Sequence, residues 1–111
     1  MKEHDRAIAL FARLTRRYPA AASFYSDKAL CEHLKGASAA AFADLRAAIR
    51  LEPNFLPAYL TLGAIHAERG RYPEALKVYD EALSKTAAAD GDPLRATVLA
   101  ARKDMLAKAA R

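Results

Sequence analysis

The sequence repeats itself every 34 residues. Ala7, Ala41 and Ala75 stand at that spacing, as do Phe11, Leu45 and Tyr79, and Ile8, Phe42 and Leu76. Tyr25 recurs as Tyr59, Ala29 as Gly63, Gly36 as Gly70 and Pro19 as Pro53. A fixed period of this length marks a stacked array, in which no unit buries its apolar face alone and each covers its neighbour. Such arrays present extended surfaces suited to holding other chains.

The 111 residues suffice for one domain with a core of its own. Much of the hydrophobic 53% is alanine, a strong helix former that permits close packing. Six helices are predicted, at about 5–17, 22–34, 38–51, 57–69, 73–87 and 92–110. Pro19 and Pro53 forbid continuation of the first and third, and Gly36 and Gly70 offer left-handed stops for the second and fourth. His4-Asp5 opens the first and Ser38 the third, while Pro73 suits a first turn, as does Pro93 behind an Asp92 cap. Every connection is short, which implies antiparallel neighbours, and no alternating strand pattern competes. The expected fold is all-α: a right-handed solenoid of helix pairs in a single domain over 1–111.

The stretch Tyr59-x2-Leu62-Gly63-x2-His66, followed by Ala75-x3-Tyr79 and Ala82, resembles a tetratricopeptide repeat. Gly63 and the two alanines allow close helix approach, and Tyr59, Leu62 and Tyr79 fill the space around it. The resemblance implies a repeat over 56–89 and an earlier one over 22–55, in which Lys28 and Glu32 break the apolar pattern. A second-type helix of a partial repeat covers 5–19, and the helix at 92–110 closes the array. Departures fall at His66, where the family has tyrosine, and at Ala87, where it has proline. In strict register the last helix would turn Leu94, Val98, Ala101 and Met105 away from the core. A slide of one residue, with Leu94 at the place of Tyr59, turns most of that stripe inward.

No catalytic constellation is visible, so a non-enzymatic protein is expected, without cofactor or metal. His4, His33 and His66 lie on separate elements and lack the i,i+4 partner of a helical metal site. His66 reads as a core histidine with a local hydrogen bond. Cys31, the single cysteine, excludes an internal disulfide and reads as a small buried hydrophobe. Asp44, Glu52, Glu68, Asp80 and Glu81 read as solvated surface.

The net charge of +5 aids solubility without naming a partner. Basic residues gather at Arg13, Arg16 and Arg17, and again at Arg95, Arg102, Lys103, Lys108 and Arg111. Nucleic acid would favour stacking aromatics among such charges, and the last helix has none. No secretory signal or membrane-spanning run is present, so a cytoplasmic protein is expected unless a signal lies upstream of Met1.

By the resemblance, first-type helices line a concave groove that takes an extended peptide or a helix. Register assigns to it Ser26, Leu30 and His33, then Leu60, Ala64 and Ala67, and with the slide Arg95, Leu99 and Arg102. The expected partner is a protein segment with apolar anchors and some acidic residues. A carboxylate clamp of lysine and asparagine, known in the family, lacks its residues, since Ser26 and Leu30 occupy comparable places. The sequence opens on a second-type helix, so Ile8, Phe11 and Leu14 lack part of their cover. Either further repeats or another chain would complete them, a homodimer being the simplest assembly.

Overall fold

The computed structural model describes residues 2–110; Met1 and Arg111 lie outside the described residues, and Arg111 with them leaves the basic cluster. Six α-helices follow one another: α1 (Lys2–Arg17), α2 (Ala22–Lys35), α3 (Ser38–Leu51), α4 (Leu56–Glu68), α5 (Tyr72–Lys85) and α6 (Pro93–Ala109). A 3-10 turn, Ala87–Ala89, separates the last two. Among the described residues there is no strand. α1 begins three residues ahead of the expected Asp5, because Lys2, Glu3 and His4 continue the helix and Glu3 favours its positive end.

Each helix packs on its predecessor, and α4 also touches α2 and α6, so first-type helices form one layer and second-type helices the other. Two core clusters result. One gathers Ala29, Leu45, Ala48, Ala58, Leu62 and Ile65, and the other Leu56, Tyr59, Tyr79, Ala82, Val98 and Met105. α4 contributes to both, which makes it the central element.

The repeat recurs in hydrogen bonds as well as in packing. The Tyr59 hydroxyl donates to the Pro53 carbonyl at 2.6 Å, and the Tyr25 hydroxyl to the Pro19 carbonyl at 3.5 Å. Each bond ties a first-type helix to the turn that precedes it. Gly36 and Gly70 stop their helices with φ of 97° and 72°, in the left-handed region that other residues avoid. Gly63 has a different duty. A side chain there would overlap the ring of Tyr79, so the missing Cβ is what lets α4 and α5 close.

The joint before α6 lacks this pattern. Ala87 replaces the proline, Pro93 stands where a tyrosine would, and the 3-10 turn fills the gap. Asp92 caps α6 instead, its carboxylate accepting from the Leu94 amide at 2.9 Å.

Candidate partner-binding surface

α2 and α4 lie side by side, and His33 Nε2 meets Glu68 Oε2 at 2.6 Å across the seam. Leu30 precedes His33 by one turn and Ala64 precedes Glu68 by one turn, so all four share the surface that this contact marks. Leu30 is 45% exposed, and Ala64 is also exposed. Leu60 and Ala67 are half-buried, packed against the cluster that contains Val98 and Met105. Ser26 is buried and offers little surface. Leu34 was not foreseen: at 55% exposed it extends the apolar edge that Leu30 begins. Its i,i+4 spacing from Leu30 was the available signal.

The three α6 positions are placed differently from the sequence expectation. Arg95 donates to the Leu83 carbonyl at 3.3 Å, and Arg102 is hydrogen-bonded to Asp80. Both partners belong to α5, in the other layer. At about 100° per residue, Val98 points between α4 and α5, Arg95 and Arg102 turn toward α5, and Leu99 stands further round on that same side. Leu94 and Ala101 take the α4 side. The expected slide therefore does not describe α6: Val98 is buried and Ala101 half-buried as it required, but the two arginines face α5. Leu94, assigned inward by the expected slide, is 40% exposed. Arg95, Leu99 and Arg102 thus do not share a wall with Leu30 and Ala64, and the expected basic side is absent from that surface.

Polar groups inside the first repeat also depart from expectation. Lys28 Nζ lies 3.0 Å from Asp44 Oδ2 and 3.5 Å from Glu32 Oε2. Asp44 is therefore half-buried and paired, not solvated surface, and Glu32 is only 5% exposed. Burial, then the hydrogen bond and negative charge of Asp44, push the Glu32 carboxyl up to about 7. Lys28 opposes the shift without cancelling it.

His66 stacks on Phe42 with ring centroids 5.0 Å apart, and its buried Nδ1 has no hydrogen-bond partner among the described residues. Nδ1 thus does not make the local bond expected there, and the ring rests on Phe42. Burial and the nearby Arg71, Arg46 and Arg69 lower its pKa, so the ring favours its neutral form. Burial, with Asp27 and Glu32, raises the pKa of the half-buried Cys31 thiol, which disfavours the nucleophilic thiolate. Among the described residues, no group of three or more His, Cys, Asp or Glu could hold a metal ion. No described helix is long and apolar enough to cross a membrane. A surface cavity of about 500 Å³ lies away from the α2–α4 seam, lined by Arg46, His66, Glu74, Lys77, Val78 and Glu81.

Two antiparallel layers, a 34-residue period and an interlocked small-residue core define a helical-repeat protein. Two tetratricopeptide-repeat profiles match the chain, one over residues 2–54 and one over 57–86. The chain belongs to the tetratricopeptide-repeat family. Among solved structures it is similar to the TPR2B domain of yeast Sti1 in its pHsp70 complex. That likeness has 22% identity and a TM-score of 0.83, over 96% of this chain and 86% of the other. At such identity it is a likeness of fold. No curated protein sequence matches the chain.

Proposed function

We propose that this chain is a non-enzymatic protein-interaction module that holds a peptide or helix of a partner protein across α2 and α4. The observation that carries the proposal is the pair Leu30 and Leu34, 45% and 55% exposed on one face of α2 beside the exposed Ala64. An apolar edge of this kind, next to a layer of small side chains, receives the apolar anchors of an amphipathic segment. The likeness to a domain solved with pHsp70 supports a protein partner in general terms. A preference for acidic segments rested on Arg95 and Arg102, which engage α5, and loses that support.

The test is a displayed peptide library panned against the protein, with hits titrated by fluorescence anisotropy. Leu30→Glu with Leu34→Glu should weaken the hits at least about tenfold, a typical effect of losing central anchors. Circular dichroism should stay unchanged, because both side chains are exposed. Equal affinity in the folded double variant would remove the proposal.

A second reading, self-association through α1, is favoured by a different observation. Ala7, Phe11 and Leu14 are half-buried, whereas their counterparts Ala41, Leu45 and Ala48, and Ala75, Tyr79 and Ala82, are all at most 3% exposed. Sedimentation over a range of concentrations tests it, and a strict monomer throughout would count against it.

A further inference from the structure

We propose that single-stranded nucleic acid binds at the turn between α1 and α2, with its bases against Tyr18 and Tyr25 and its phosphates on the arginines around them. The site goes beyond the protein-interaction reading and lies on another part of the array. A cavity of about 240 Å³ is lined there by Pro19, Tyr25, Ala47, Arg50 and Leu51. Tyr25 comes five residues before Leu30. At 100° per residue that sets it about 140° round α2, away from the peptide edge.

The two repeats differ at this place. Tyr59, the counterpart of Tyr25, is fully buried, and its hydroxyl donates to the Pro53 carbonyl at 2.6 Å. Tyr25 is only half-buried, and its bond to the Pro19 carbonyl is 3.5 Å long. The counterparts of Ala47, Arg50 and Leu51, 34 residues further on, are Glu81, Ser84 and Lys85. In the second repeat the charges of Glu81 and Lys85 cancel. In the first, Arg50 is the one charge of the three, and a methyl group stands where the glutamate chain would lie. The same frame is therefore closed in one repeat, and open, apolar and cationic in the other.

α1 and α3 run in the same direction, so both end on the side of the array where Pro19 lies. Their last turns carry Arg16, Arg17 and Arg50, with Arg13 one turn earlier, and all four are exposed. Among the described residues none of the four is in an ion pair. Glu52 opposes them at the end of α3, one carboxylate against four guanidinium groups. Aromatic rings stand beside these cations, as they do not in the basic cluster of α6. Tyr18 is 48% exposed, Arg17 Nε donates to its hydroxyl at 3.3 Å, and the Arg17 guanidinium lies 5.7 Å from its ring centre. Phe24 backs the same ring at 5.9 Å. Aromatic faces among arginines receive unpaired bases, while the guanidinium groups take the phosphates. The dipoles of α1 and α3 also favour basic last turns, yet they ask for neither cavity nor ring. An acidic protein segment would use the arginines and leave the rings idle.

Fluorescence anisotropy with a labelled oligouridylate tests the site. Affinity should fall steeply between about 50 and 200 mM salt. Arg50→Ala should lower the slope of log affinity against log salt by about one, the effect of losing one phosphate contact. Tyr18→Ala should weaken binding about tenfold with the slope unchanged, because it removes stacking and no charge. Ala47→Gln, close in size to the counterpart Glu81, should fill the cavity and also weaken binding at constant slope. Lys103→Ala, a basic residue of α6 outside the site, should change neither affinity nor slope. If Lys103→Ala acts as Arg50→Ala does, the attraction is that of net charge alone and the proposal falls. If a labelled oligoglutamate binds as tightly as the oligouridylate and Tyr18→Ala affects neither, the site takes an acidic peptide and the nucleic-acid proposal falls. No binding of the oligouridylate at about 50 mM salt overturns it as well. Tyr18, Arg50 and Lys103 are exposed, and the next repeat carries a glutamate at the place of Ala47, so circular dichroism should show each variant folded.

Discussion

Glu32 is the residue that the fold accommodates least easily. It occupies the place that His66 holds in the next repeat, yet it is 5% exposed, and its Oε1 has no partner among the described residues. Its carboxyl titrates near 7 in the folded chain against an ordinary 4.5, so between those values the folded state holds a proton that the unfolded state has released. Stability attributable to Glu32 is therefore full below about pH 4.5 and lost as pH rises through about 7. Glu32→Gln should raise stability at pH 8 by about 1–2 kcal/mol, since an amide avoids the buried charge and can still donate to Asp44. At pH 5 the gain should largely vanish, and urea titrations at the two values check it. Gly63 poses a steric question instead. Gly63→Ala gains up to about 1 kcal/mol of helix propensity but drives a methyl into the buried Tyr79 ring, an overpacking that costs about 1–3 kcal/mol. Net destabilisation is expected. Adding Tyr79→Leu, which reproduces the Ala29–Leu45 pair of the first repeat, should recover much of it in a double-mutant cycle.

At the scale of elements, α6 shows how a helix is placed when its repeat signals fail. The tyrosine-to-proline-carbonyl bond anchors α2 and α4, and α6 relies on the Asp92 cap and on Arg95 and Arg102 gripping α5. Asp92→Ala should cost about 1 kcal/mol and show as faster hydrogen exchange confined to the first turns of α6. The helices themselves were legible in the sequence because their signals are local: proline and glycine stops, apolar residues at helical spacing, and a period that repeats them. The rotation of α6 was not. Its stripe Leu94, Val98, Ala101 and Met105 fits more than one rotation of the helix, and what decides is an arginine reaching Asp80 on another helix. Periodicity carries no record of such a contact. The same limit hid the Lys28, Glu32 and Asp44 cluster, in which one lysine pairs with two carboxylates inside the first repeat. On the α2–α4 surface, Leu30 and Ala64 followed from register alone, whereas Leu34 lies outside the pattern carried over from the family.

For the whole molecule, stability should be graded along the array rather than uniform. An array of stacked units is held by nearest-neighbour contacts, so elements with two neighbours in their layers outlast those with one. α4 enters both core clusters, while α1 keeps its inward stripe half-covered and α6 shows Leu99 and Leu106 to solvent. In dilute protein, amides of α1 and α6 should exchange first and those of α4 last. Self-association through α1 would change this order in a specific way: raising the concentration should slow exchange in α1 while leaving α4 nearly unchanged. The melting temperature should rise with concentration for the same reason, because only folded chains associate. The Leu30→Glu, Leu34→Glu variant should keep both concentration effects yet lose the library peptides. If it lost both properties while still folded, the peptide surface and the association surface would be one.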